Sequence, residues 1–247
     1  MKKYVNLFVF VFMVGACFSQ GKAQTKSAVS YKNPVVDIAM PDPTVIKAAD
    51  GYFYMYATES TRNVPIMKSK DLVQWTYCNT AFTNKTRPRF EPKAGIWAPD
   101  INYINNKYVL YYAMSVWGGE QTCGIGVATA DSPQGPFTDH GKMFRSNEIG
   151  VQNSIDPSFL QYEGRNYLVW GSFRGIYVIE LTEDGLSLKP GAEKKRIAGT
   201  AFEAAYIHKH GDYYYMFASI GSCCEGIRST YKVVAVSYTH LRAHETK

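Results

Sequence analysis

The sequence of 247 residues contains little that would cross-link the chain, bind it to nucleic acid or anchor it through a long helix. Its cysteines include the isolated Cys78 and Cys123 and the adjacent Cys223 and Cys224, so no disulfide framework can be read. The net charge of +6 never gathers into a run of five like charges, which argues against a nucleic-acid-binding protein. No apolar stretch reaches the roughly 20 residues that a membrane-spanning helix needs.

Helical periodicity is also missing from the sequence. No stretch longer than about ten residues repeats its apolar positions at helical spacing, which argues against an α/β barrel. Aromatic residues make up 15% of the chain, with 19 tyrosines. Such a content suits an all-β core, and it also suits a sugar-binding surface, because rings stack on the apolar faces of sugars.

The first 24 residues follow the pattern of an export signal. Lys2 and Lys3 precede an apolar stretch over residues 5–16, and polar sequence follows. The segment that ends at Cys17 resembles a bacterial lipobox, which predicts a lipid anchor at Cys17 and a periplasmic or membrane-anchored lipoprotein. The alternative is cleavage near Ala23 and secretion. Either way, we expect an exported protein.

A repeat of about 50 residues organises the rest of the chain. In each copy an acidic residue precedes a short apolar strand, a turn with Gly, Asn or Asp follows, and a strand rich in Tyr, Phe and Val comes next. The acidic residues are Asp42, Asp100, Asp156 and Glu203, which lie 58, 56 and 47 residues apart. Each interval is long enough for a four-stranded antiparallel sheet with tight turns, so the repeat predicts the blades of a β-propeller.

The first strand of a propeller blade lines the central channel, so the repeat predicts that four carboxylates converge there. A single Asp-Pro is more simply explained as a turn cap, but recurrence at one position favours a site. Carboxylates forced together drive their pKa values apart and divide into acid and base. This is the chemistry of glycoside hydrolysis, in which one carboxylic acid protonates the leaving oxygen and a second carboxylate acts opposite it.

Four motifs in this order resemble glycoside hydrolase family 43: MPDPTVI from residue 40, WAPDI from 97, NSIDPSF from 153 and FEAAYI from 202. The segments NSIDPS, WGSFRGI and SIGSCCEG resemble its arabinanase branch. The resemblance implies a five-bladed β-propeller, of which about four blades lie within residues 33–236. Residues 237–247 lack the aromatic strand pattern and are expected to be a non-native tail.

The same resemblance implies an inverting hydrolase that cleaves α-1,5-linked L-arabinan. It makes Asp42 the general base, Glu203 the general acid, and Asp156 a third acid that tunes and orients the proton donor. The residues themselves agree with these roles. The apolar neighbours of Glu203 should raise its pKa, and the prolines on both sides of Asp42 should stiffen its backbone.

The resemblance also suggests residues that contact the substrate. Trp97 is expected to stack on a sugar, with a core tryptophan between blades as the alternative. Asn153, Ser172 and Phe173 are expected around the pocket. Cys223 is a candidate lining residue, and a vicinal disulfide with Cys224 or two buried thiols are the alternatives. Asp100 is expected to be structural or to contact substrate.

The chemistry implied by the resemblance needs no cofactor, although a structural calcium ion with ligands beyond this chain is expected. The partner is arabinan or arabino-oligosaccharide, and the protein is expected to be a monomer. Two alternatives within the family are a β-xylosidase and an α-L-arabinofuranosidase. From another class, a non-catalytic carbohydrate-binding propeller remains open.

Overall fold

The computed structural model describes residues 30–222 and 230–237. Within these ranges the protein is all-β, as predicted, with fifteen strands in four antiparallel sheets. The single helix of the described residues, α1, is the short turn Ser146–Ile149. No helix in this part of the chain has the length and apolar character required to cross a membrane.

Each sheet is a meander whose neighbouring strands follow one another in sequence. The first sheet contains β1 (Thr44–Lys47), β2 (Phe53–Tyr56), β3 (Pro65–Ser69) and β4 (Thr76–Thr80). The second contains β5 (Gly95–Ile104), β6 (Lys107–Ser115), β7 (Gly124–Ala130) and β8 (Thr138–Arg145). The third contains β9 (Ser158–Tyr162), β10 (Arg165–Trp170), β11 (Ile176–Glu180) and β12 (Lys195–Ala198). The described part of the fourth contains β13 (Phe202–His210), β14 (Tyr213–Ile220) and β15 (Thr230–Ser237).

The turns between the first two strands of the sheets explain why the predicted aromatic strands pair. Between β5 and β6, Asn105 and Asn106 have φ values of 48° and 63°. Two successive residues with positive φ form the tight hairpin turn whose twist matches that of the strands, and Asn tolerates this conformation better than most residues. The turn aligns Ile104 with Lys107 and so sets the register of this hairpin.

Hydrophobic clusters fill the spaces between successive sheets. The first two sheets bury aromatic and aliphatic side chains against each other, including Tyr54, Tyr56, Phe82, Leu110 and Tyr112. The second and third sheets bury a cluster that includes Val109, Ile125, Leu168 and Trp170. The third and fourth bury a smaller one that includes Val169, Ile176, Ala205 and Met216. The sheets therefore pack face to face in chain order.

The first strands of the sheets also lie side by side, because β1 packs against β5, β5 against β9, and β9 against β13. Residues that precede or begin these strands are thereby brought together although they are far apart in sequence. This arrangement positions the candidate site.

Candidate active site

In every sheet, a residue with left-handed backbone conformation (positive φ) lies near the start of the first strand or just before it. The φ values are 49° at Asp42, 41° at Ala98, 59° at Asp156 and 52° at Ala204. Non-glycine residues adopt this conformation at a cost of about 1–2 kcal/mol, and such strain gathers at functional sites. The repeated feature of the four sheets is thus a backbone conformation, and two of the four positions carry a carboxylate.

The prediction that four acids occupy equivalent strand positions is wrong for two of them. In the fourth sheet the equivalent backbone belongs to Ala204, one residue after Glu203. Asp100 lies inside β5, and the residue with the equivalent backbone is Ala98. A register shift between Trp97 and Asp100 places the aspartate two residues further along the strand. The repeat in the sequence did not reveal this shift, because the spacing of the acidic residues is nearly regular.

Asp100 has a structural environment of its own. It is buried, and its Oδ2 accepts hydrogen bonds from the Phe159 amide at 2.7 Å and from Asn102 Nδ2 at 2.8 Å. Its Oδ1 lies 3.4 Å from the Thr44 hydroxyl. Burial raises the pKa of Asp100 to about 6 against the effect of these donors. Asp100 therefore joins the first strands of three sheets.

The other three acids, Asp42, Asp156 and Glu203, form what we term the carboxylate cluster. Asp42 precedes β1 and is exposed, and its Oδ2 accepts a hydrogen bond from Thr58 Oγ1 at 2.5 Å. Asp156 precedes β9 and is partly buried. Glu203 is the second residue of β13, and its Oε2 accepts a hydrogen bond from Ser172 Oγ at 3.0 Å. Each acid comes from a different sheet.

Asp156 lies within electrostatic range of the other two acids. Burial raises its pKa well above the ordinary value, and the Glu203 and Asp42 carboxyls raise it further. A hydrogen bond from the Ala204 amide acts in the opposite direction without cancelling this rise. Since like charges disfavour ionisation at close range, the cluster favours a state in which at least one member keeps its proton.

The pKa of Glu203 is raised as well, mainly by burial and further by the Asp42 carboxyl, while the Ser172 hydroxyl lowers it. This is the direction that its apolar sequence neighbours predict. A carboxyl that retains its proton toward neutral pH can act as a general acid, and an exposed carboxylate nearby can act as a base. The cluster thus has the components of acid–base catalysis.

Two tryptophans lie close to each other near the head of the second sheet. Trp97 is partly buried and packs beside a small cluster of Ala113, Cys123 and Ile155. Its ring centroid lies 6.4 Å from that of Trp117, whose exposure is 81%. The position of Trp97 fits both interpretations of the sequence, since one side packs on the core and the other side meets an exposed ring.

The remaining predicted substrate contacts lie around Glu203 where the structure describes them. Ser172 is buried and its hydroxyl is bonded to Glu203, while Asn153 Nδ2 donates to the Ser172 carbonyl at 3.1 Å. Phe173 is partly buried and lines a shallow depression with Ala201, Phe202, Ile220 and Gly221. Cys223 lies outside the described residues, as does Cys17.

Sequence reasoning missed several residues that contact the cluster or its supports. Thr58 is bonded to Asp42, and Trp117 is the exposed ring beside Trp97. A buried ion pair joins Glu59 to Arg87. One signal was present: a hydroxyl residue ends the second aromatic segment in three repeats, at Thr58, Ser172 and Ser219.

In the described ranges, no group of three His, Cys, Asp or Glu side chains is arranged to hold a metal ion. Cys78 and Cys123 are free thiols. The structural calcium ion, whose ligands were expected beyond this chain, stays a prediction.

Comparison with known proteins identifies relatives over most of the chain. The sequence pattern of the glycosyl hydrolases family 43 matches residues 31–244. The extracellular endo-α-(1→5)-L-arabinanase 1 of Bacillus subtilis (strain 168) is 36% identical over 206 residues, which are 78% of this chain and 62% of that protein. The chain spans about three fifths of the length of the curated relatives it matches.

Solved structures show the same likeness. The α-L-arabinanase of Cellvibrio cellulosa in complex with arabinohexaose superposes with a TM-score of 0.69 at 29% identity, covering 80% of this chain and 70% of that one. An exo-1,5-α-L-arabinanase from a bovine ruminal metagenomic library gives a TM-score of 0.68 at 31% identity, covering 83% and 73%.

Proposed function

Because this chain belongs to the glycosyl hydrolases of family 43, we propose that it hydrolyses α-1,5-linked L-arabinan with inversion at the anomeric carbon. The observation that carries the proposal is the carboxylate cluster, in which Asp42 and Glu203 both raise the pKa of Asp156. Three acids from three sheets that act on one another supply both a proton donor and a proton acceptor. A structural propeller or a binding module would gain nothing from that costly arrangement.

In the proposed reaction Glu203 is the acid and Asp42 is the base. The Glu203 carboxyl gives its proton to the glycosidic oxygen while the bond from that oxygen to the anomeric carbon breaks. A water oxygen bonds to the anomeric carbon from the opposite face, and Asp42 takes a proton from that water. The product sugar has the inverted configuration, and Asp42 ends protonated and Glu203 ionised, which solvent exchange reverses.

Asp156 is proposed to tune and orient the donor. Its carboxyl interacts with both Glu203 and Asp42, and both of them raise its pKa. When Asp156 carries charge, it favours the protonated form of Glu203, and when neutral it can donate a hydrogen bond. The Ser172 hydroxyl, held beside Glu203 by a bond at 3.0 Å, limits the orientations of the acid.

The substrate is proposed from the comparisons and from the exposed aromatic rings. The B. subtilis relative is named an endo-α-(1→5)-L-arabinanase, and the C. cellulosa structure contains arabinohexaose. Trp117, with Trp97 beside it, presents a ring that can stack on the apolar face of a pentose. Asn153 and Phe173 are proposed to contact sugar, and Cys223 is proposed to line the pocket.

The architecture and location are proposed as follows. The four sheets are blades of a five-bladed β-propeller, which is supported by first strands that neighbour one another in order. Residues 1–24 direct export, and either a lipid on Cys17 or secretion follows. The name of the B. subtilis relative, which includes the word extracellular, supports export.

The proposal is tested with the full-length protein and debranched arabinan. We expect release of reducing ends, and proton NMR of the first products should show the anomer of inverted configuration. Glu203→Ala should release none, with an unchanged melting temperature as the folding control. Binding of arabinan by the wild type without hydrolysis would favour a binding module, and cleavage restricted to aryl β-xylosides would favour a xylosidase. Either result contradicts the proposal.

A further inference from the structure

The segment that carries Asp42 precedes β1, yet the loop after β2 holds it with three hydrogen bonds. The Thr58 amide donates to the Pro41 carbonyl at 2.9 Å, and the Ser60 hydroxyl donates to the Ala39 carbonyl at 2.5 Å. The Thr58 hydroxyl donates to Asp42 Oδ2 at 2.5 Å. Because Asp42 is exposed and has left-handed backbone, this loop provides constraints that strand pairing does not.

The direction of the bond between Thr58 and Asp42 is fixed by a second neighbour. The Ala98 amide donates to Thr58 Oγ1 at 2.7 Å. A hydroxyl has one proton, and an amide N–H cannot accept it, so the proton of Thr58 points to the Asp42 carboxylate. A donor fixed in this way favours the ionised form of its partner and restricts its orientation.

The next residue anchors the same loop to the second sheet. Glu59 and Ile96 exchange two bonds: the Glu59 amide donates to the Ile96 carbonyl at 3.1 Å, and the Ile96 amide donates to Glu59 Oε1 at 2.9 Å. Arg87 binds the Glu59 carboxylate with both terminal nitrogens, and the two side chains are 6% and 8% exposed. The loop therefore cannot slide along β5 without breaking a buried ion pair.

We propose that Thr58 is a positioning residue, which aims the Asp42 carboxylate and keeps it ready to accept a proton. The inference rests on the proposed role of Asp42 as the base. Since Ala98 is adjacent to Trp97, the same hydroxyl ties the base to the residue expected to stack on the sugar. The Asp42 carboxyl acts on two titratable groups, Asp156 and Glu203, and Thr58 is a neutral donor to Asp42.

The test compares Thr58→Val, which removes the hydroxyl at similar volume, with Thr58→Ser, which keeps it. For Thr58→Val in the full-length enzyme we expect kcat on debranched arabinan to fall about ten- to a hundredfold, the effect of losing one hydrogen bond to a charged group. KM should change by less than about twofold. Thr58→Ser should restore kcat.

A second readout separates this inference from the proposed function. Carbon NMR of carboxyl-labelled aspartate follows the Asp42 carboxyl resonance at fixed neutral pH without substrate, and this resonance should shift in Thr58→Val and return in Thr58→Ser. An unchanged Asp42 resonance together with an unchanged kcat in Thr58→Val would overturn the inference, as would equal impairment of both variants. Wild-type enzyme that is inactive on arabinan contradicts the proposed function instead. If Thr58→Val does not fold, Thr58→Ala against Thr58→Ser gives the same comparison.

Discussion

Two groups of carboxylates lie at the heads of the sheets, and they differ in what surrounds them. Glu59 and Asp100 are each surrounded by donors, namely Arg87 and backbone amides in the first case, and an amide, Asn102 and Thr44 in the second. Among the described residues, the acids of the carboxylate cluster have one hydrogen-bond donor each, namely Thr58 for Asp42, the Ala204 amide for Asp156 and Ser172 for Glu203, and the Asp42 and Glu203 carboxyls raise the pKa of Asp156. A buried acid that several donors surround is satisfied by them and serves the scaffold. An acid whose pKa is raised by a neighbouring carboxyl can hold a proton and pass it to a substrate.

The largest expected effect distinguishes the two groups by activity. Glu203→Gln removes the proposed proton donor, and kcat on debranched arabinan should fall about 10²–10⁴-fold, the usual contribution of general acid catalysis. Asp100→Asn keeps an oxygen that accepts from the Phe159 amide and Asn102, and its amide nitrogen can donate to the Thr44 hydroxyl, so the variant should retain activity within about threefold. Equal losses of kcat in the two variants, measured at the same folded fraction, would mean that the carboxylate cluster and the acids surrounded by donors do not differ in function.

The next effect concerns the buried ion pair of Glu59 and Arg87. Burial raises the pKa of Glu59, but hydrogen bonds from Arg87 and from the amides of Asn63 and Ile96 outweigh it, so the pKa lies below the ordinary value. Arg87→Met leaves that buried charge without its partner, and the free energy of unfolding should fall by about 3–5 kcal/mol. Urea denaturation at neutral pH measures it.

The matched control for that variant is Arg174→Met. Arg174 pairs with Glu120 at the surface, where the side chains are 42% and 38% exposed. Exposed pairs contribute about 0–1 kcal/mol, so this control should change stability by no more than that. A cost as large as that of Arg87→Met would mean that burial does not decide the difference.

A smaller effect appears in the pH dependence of stability. The pKa of Asp100 is about 6 in the folded protein and about 4 in an unfolded chain. The contribution of Asp100 to the free energy of unfolding is fully present below about pH 4. It is lost as pH rises through about 6, because Asp100 ionises at lower pH in the unfolded chain than in the folded protein. The loss is on the order of 3 kcal/mol.

Asp100→Asn should remove this pH dependence. The difference in the free energy of unfolding between variant and wild type should therefore grow in favour of the variant between about pH 4 and pH 6. Denaturant titrations at both ends of that interval measure it. A difference that does not change with pH would show that Asp100 does not ionise across this range.

The sequence predicted the strands well because the repeat combines aromatic strands with turn residues. Asn105 and Asn106 mark a hairpin whose conformation few other residues tolerate, so that turn could be located without coordinates. The all-β class and the order of the strands follow from such signals.

The positions of the acids could be predicted only in part. The shift between Trp97 and Asp100 arises from the backbone at Ala98, and alanine gives no sign of left-handed conformation. Thr58 was missed for a related reason, since its role depends on an amide of another sheet. The first depends on a backbone conformation that alanine does not signal, and the second on a contact between sheets.

The account rests most directly on the coupling within the carboxylate cluster, and the titration of Asp156 measures it. Carbon NMR of carboxyl-labelled aspartate should show the Asp156 carboxyl titrating well above its ordinary range in the wild type. Glu203→Gln and Asp42→Asn should each move that titration to lower pH, whereas Asp100→Asn should leave it unchanged. An Asp156 titration insensitive to both cluster variants would mean that the three acids do not share one site, which would contradict the account.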